Sequence, residues 1–118
     1  RRPLPAIALT TDTSVITSIA NDYHFDEIFA KQIMALGHRD DMVMGISTSG
    51  NSANVIRGMR VAKEMGLLTI GFSGRGGKLS EHADIFFPVP SETTARIQEA
   101  HITLGHILCE LVEKSLFP

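Results

Sequence analysis

The chain has 118 residues, 43% of them hydrophobic and 20% charged, with a net charge of −2. That length allows one domain, residues 1–118, and the composition is ordinary for a globular protein. Acids and bases are interspersed with no basic stripe, so no nucleic-acid partner is expected, and no apolar run reaches the length of a membrane span.

The first residue is Arg1, not methionine, and residues 5–9, Pro-Ala-Ile-Ala-Leu, already read as a buried strand. The expectation is a domain whose N-terminal part lies before Arg1. Residues 10–14 form a polar turn, with Asp12 or Ser14 as the cap of a short helix over 15–20. Asn21 and Asp22 then interrupt, since both favour turns through side-chain hydrogen bonds to nearby backbone. A second helix is expected over 26–36, with Ile28, Phe29, Ile33 and Leu36 on its apolar face and Gly37 as its stop.

Residues 42–46 are a short apolar run suited to a strand buried on both faces. From Asn51 onward the pattern turns helical, with Val55, Met59, Ala62 and Met65 near a 3.6-residue period. Between strand and helix lies Ser47-Thr48-Ser49-Gly50-Asn51-Ser52, with four hydroxyls and one glycine. A helix N-terminus leaves N–H groups unpaired and carries partial positive charge, so this turn suits a phosphate. Capping by Ser52 or Asn51 alone would need one such residue, not six polar or glycine positions.

A strand follows over 67–72, then Ser73-Gly74-Arg75-Gly76-Gly77-Lys78, which matches no nucleotide-binding fingerprint and reads as a plain strand-to-helix turn. Residues 83–89 form a further strand and residues 94–116 a long terminal helix. This order predicts an α/β fold: a mostly parallel sheet flanked by helices. The terminal helix carries an apolar stripe of Ile97, Ala100, Leu104, Leu108, Leu111 and Val112, with Gln98, His101 and His106 set among it. Gly105 costs about 1 kcal/mol against alanine in a helix interior, which predicts a close approach there by backbone or ligand. Gln98 and His106 are separated by about 12 Å along the axis and about 80° around it. His101 and His106, five apart, are not a standard metal pair, so spacing alone does not make a metal site. Cys109, the only cysteine, fits packing in a reducing compartment, and a cytoplasmic location is expected.

Residues 5–9, Asn21-Asp22, the run from Gly45 to Ser52, and Ala95-Arg96-Ile97-Gln98-Glu99 with His101 and His106 resemble the phosphoheptose isomerases. These are sugar-isomerase (SIS) domain enzymes with a flavodoxin-like three-layer sandwich. They convert sedoheptulose 7-phosphate to D-glycero-D-manno-heptose 7-phosphate through an enediol, in nucleotide-heptose biosynthesis. The resemblance implies that Ser47, Thr48, Ser49 and Ser52 hold the sugar phosphate and that Asn21 and Asp22 line the substrate pocket. It implies that Gln98 contacts substrate and metal, and that His106 is both a zinc ligand and the catalytic acid–base. It further implies one zinc per site and a homotetramer with shared active sites. The family's catalytic glutamate and its other zinc ligands have no counterpart in this sequence. A related SIS protein that binds the bacterial replication initiator is the rival, but it carries arginine at the Ser49 position and lacks a histidine at the His106 position. A phosphosugar-sensing domain without turnover is the third reading.

Overall fold

The computed structural model describes residues 1–118. Helix α1 (Thr13–Asp22) starts at Asp12, whose carboxylate accepts from the Val15 N–H at 3.0 Å. Asn21 and Asp22 extend this helix rather than breaking it. The Asn21 amide donates to the Asp22 carboxylate at 3.0 Å, so neither side chain competes for backbone in the way a turn requires. A 3₁₀ turn (Phe25–Glu27) feeds α2 (Ile28–Leu36), which ends at Gly37 as expected. Gly37 is extended at φ −73°, ψ 134°, so it ends the helix without a left-handed turn. A Cβ there would lie 2.7 Å from the Ile33 carbonyl oxygen.

Three strands follow: β1 (Met42–Ser47), β2 (Leu68–Ser73) and β3 (Ile85–Pro88). They form one parallel sheet in the order β1-β2-β3, with Ser47 beside Ser73 and Ser73 beside Pro88. The crossover from β1 to β2 is α3 (Ala53–Glu64), and a 3₁₀ turn (Lys78–His82) precedes β3. The long α4 (Thr94–Leu116) closes the chain. The main apolar cluster lies where α2 meets α3: Ala30, Ile33, Val61, Ala62 and Leu67, with Leu9, Val43 and Met65 against it.

Successive strand residues point to opposite faces. Gly45 lies under Met59 of α3, so Ile46 and Phe72 face the other way, toward the start of α4. Helices therefore flank both faces, but unequally. The strand expected to be buried on both faces is buried on one, and Met42, Met44 and Ile46 are exposed on the α4 side. Of the 23 residues in α4 only Ile97 and His101 are buried, while Leu111 and Val112 of the expected stripe are exposed.

Residues 5–9 are not a strand. They have no neighbouring ladder, Ile7 is 70% exposed, and side chains meet the carbonyls at the segment's end. Thr11 Oγ1 donates to Ala8 O and Gln32 Nε2 to Leu9 O, both at 2.9 Å. Strand propensity needs a partner backbone, and none of the three strands supplies one.

Candidate phosphate-binding site

The turn from Ser47 to Ser52 lies at the carboxyl end of β1, where parallel sheets present their ligand-binding loops. Its shape comes from its own hydroxyls. Ser47 Oγ, buried, meets Ser52 Oγ at 2.8 Å and Ser49 Oγ at 3.3 Å, and accepts from the Ser52 N–H at 3.4 Å. Ser49 Oγ also accepts from the Asn51 N–H at 3.1 Å. Ser52 is the N-cap residue of α3, yet its hydroxyl makes no capping bond. The Val55 N–H is taken by Asn54 Oδ1 at 2.8 Å, so in the first turn of α3 the N–H groups of Ala53 and Asn54 are the ones open to an anion.

The glycine-rich segment after β2 braces this turn. Gly74 N–H donates to Thr48 O at 3.0 Å, Leu79 N–H to Gly50 O at 2.9 Å, and Lys78 N–H to Asn51 Oδ1 at 3.1 Å. Gly50 and Gly77 both have positive φ, +67° and +99°, and their backbones touch. The segment is a strand-to-helix connection, as expected, with the added work of holding the serine turn.

A cavity of about 620 Å³ opens beside the turn. Ser47, Thr48 and Ser52 form its polar end together with Gln98 and His101 of α4. Met44, Ile46, Phe72 and Ile102 form its apolar wall, and Gly105 faces it. No atom outside its own helix backbone comes within 4 Å of a Cβ built on Gly105, so the expected close approach is absent and the glycine opens space instead. A smaller cavity of about 390 Å³, with Asp40, Lys63 and Asp84 in its wall, lies at the opposite end of the sheet.

The predicted site residues divide into two groups. Ser47, Thr48, Ser52 and Gln98 share the cavity wall; Ser49 is exposed on the turn and bonded within it. Asn21 and Asp22 lie exposed at the end of α1, bonded to each other and outside the cavity lining. His106 is exposed on α4 and outside it too. No group of three or more histidine, cysteine, aspartate or glutamate side chains is placed to hold a metal. The sequence reading grouped His101 with Gln98 and His106 without giving it a role, yet it is the histidine in the wall. Its signal was phase: four residues after buried Ile97, on the same helix face.

The SIS domain family matches residues 1–74. Phosphoheptose isomerase of Thermodesulfovibrio yellowstonii is 63% identical over 118 residues, covering 99% of this chain and 59% of the relative. That of Nitratidesulfovibrio vulgaris is 59% identical, covering 99% of this chain and 57% of the relative. A solved phosphoheptose isomerase from Francisella tularensis superposes with a TM-score of 0.93 at 42% identity, covering 97% of this chain and 62% of that one. One from Neisseria gonorrhoeae gives 0.88 at 50% identity, covering 90% and 61%. The chain thus spans about three fifths of the length of the curated relatives it matches. The parallel sheet, the serine-rich turn at its carboxyl end and the match over residues 1–74 place the chain in the SIS-domain family.

Proposed function

We propose that this chain is the larger part of a phosphoheptose isomerase that interconverts sedoheptulose 7-phosphate and D-glycero-D-manno-heptose 7-phosphate. The observation that carries the reading is the shared cavity, whose wall holds Ser47, Thr48 and Ser52 together with Gln98. Identity of about three fifths to phosphoheptose isomerases supports it.

In this reading the hydroxyls of Ser47, Thr48, Ser49 and Ser52, with the open N–H groups of α3, hold the substrate phosphate. Gln98 orients the sugar, and Asn21 and Asp22 complete the pocket in the assembled protein. A base outside these residues takes a proton from C1 of the ketose, and the resulting enediol is reprotonated at C2. His106 moves the balancing proton from the C1 oxygen to the C2 oxygen, leaving an aldehyde at C1 with no net oxidation. His106 stands outside the cavity of its own chain, so the proposal includes self-association as a homotetramer with shared sites. The exposed apolar residues Ile102, Ile107, Leu111 and Val112 around it on α4 favour such a contact.

Zinc belongs to the same proposal, with Gln98 and His106 as two of its ligands. Two donors from one helix fall short of the four that zinc takes, so they do not make a centre by themselves and no step above is routed through the metal. Cytoplasmic residence is also part of the reading; no helix here is long and apolar enough to cross a membrane.

The test is turnover of sedoheptulose 7-phosphate by the full-length protein with added zinc, beside His106→Ala. Loss of turnover in the variant with phosphosugar binding retained supports the assignment. A parent that binds phosphosugar and metal without turning it over moves the weight to a sensing or initiator-binding role.

A further inference from the structure

His101 is only 6% exposed, and its two ring nitrogens are in different situations. Nε2 lies 3.0 Å from the Ser73 carbonyl oxygen, while Nδ1 is buried with no hydrogen-bond partner. A carbonyl can only accept, so the proton is on Nε2 and the donor is His101. The same oxygen accepts the Val89 N–H at 2.9 Å, so both of its lone pairs are engaged. Ser73 is the last residue of β2; it pairs with Ser47, where the serine turn begins, and the next N–H, of Gly74, donates to Thr48.

The rest of α4 is loosely held within these residues. Ile97 packs against the position where a Cβ on Gly74 would sit, and His101 is the only other buried residue of the helix. Ile97 supplies non-directional packing, whereas the imidazole supplies a directed bond that fixes both rotation and rise. Its ring also lies 5.5 Å from that of Phe72, tilted by 44°. Gln98 precedes His101 by about one turn, so its place in the cavity wall with Ser47, Thr48 and Ser52 follows from where His101 is latched.

We propose that His101 is a positioning residue: through its bond to the Ser73 carbonyl it sets α4, and with it Gln98, against the serine turn. The kinetic part of its test rests on the isomerase reading; the spectroscopic and distance parts do not.

In the full-length protein, nitrogen-correlated imidazole spectra are expected to show His101 protonated at Nε2 and bare at Nδ1. A proton on Nδ1 alone overturns the proposal. Two variants separate the bond from the bulk: His101→Gln, whose amide can donate to the same carbonyl, and His101→Leu, which cannot. Spin labels on Arg60→Cys and Glu110→Cys, in a Cys109→Ser background, report where α4 lies relative to α3. The parent and the glutamine variant should share one narrow distance, with the leucine variant shifted or broadened. With sedoheptulose 7-phosphate, leucine should lower kcat about tenfold to a hundredfold while KM changes less than about threefold, and glutamine should restore most of the loss. A leucine variant matching the parent in distance and kcat, or a glutamine variant as impaired as leucine, overturns the latch. A parent without turnover removes the isomerase reading and leaves the spectra and distances to decide.

Discussion

Gly77 lies so close to Gly50 that a Cβ on Gly77 would stand 2.5 Å from the Gly50 Cα, carbonyl carbon and oxygen. Real Cβ atoms do not approach backbone that closely, and Gly77 also has φ +99°. Gly77→Ala is expected to lower stability by about 2–3 kcal/mol through clash and strain together. Gly76→Ala, which meets nothing within 4 Å, is the control and should stay within about 0.5 kcal/mol. Urea unfolding of both variants checks the contrast; equal losses would show that the loops do not interlock.

Ser47 is the hub of the turn. Ser47→Ala leaves the Ser52 N–H without its acceptor and removes the hydroxyl partner of both Ser52 and Ser49. The expected loss is about 1–2 kcal/mol of stability, with inorganic phosphate bound about tenfold more weakly. Calorimetric titration of the parent and variant measures the second effect.

How far the sequence carried the reading depends on where each cause lies. The step from β1 through the serine turn to α3 was readable because apolar run, polar turn and helical period are local signals. Residues 5–9 have the same local signal, but being a strand depends on a partner that local sequence does not specify. Asn21 and Asp22 misled for a related reason: their side chains satisfy each other, so the usual competition with the backbone never arises. Which of His101 and His106 is covered turns on helical phase relative to β2, a tertiary fact. Spacing along α4 shows that they differ in face, not which face is covered.

At the far end of the sheet, the Asp84 carboxylate accepts from the Thr69 N–H at 2.9 Å and its hydroxyl at 3.0 Å, and pairs with Lys63 at 3.1 Å. The Thr69 backbone bond, then Lys63 and the Thr69 hydroxyl, hold the carboxyl below its ordinary value of 3.8. A depressed carboxylate stabilises the fold above its unfolded-state pKa, and that contribution disappears as pH falls through the folded value. Asp84→Asn should therefore be less stable than the parent near neutrality, with the gap closing below the ordinary value. Thermal melts across an acid series test this, and a gap that is constant with pH counts against it.

Gln32 is buried inside α2 and donates at 2.9 Å to both Leu9 O and Ile28 O. Gln32→Leu should free the segment before α1, raising amide exchange at Val15 and Ile16, whose N–H groups bond to Asp12, about tenfold, and should cost about 1 kcal/mol overall. Unchanged exchange there would show that the segment is held by packing alone.

The interlock of Gly50 with Gly77 also bears on the order in which the protein folds. The serine turn is six residues long, yet its bracing groups come from residues 74–79, beyond the whole of α3 and β2. Closing that loop carries an entropic penalty that local contacts in the turn do not offset. A chain emerging from the ribosome has its serines long before it has their arrangement. The turn takes its final form only after β2 has joined β1, which makes the proposed phosphate recognition one of the last properties this part of the chain acquires.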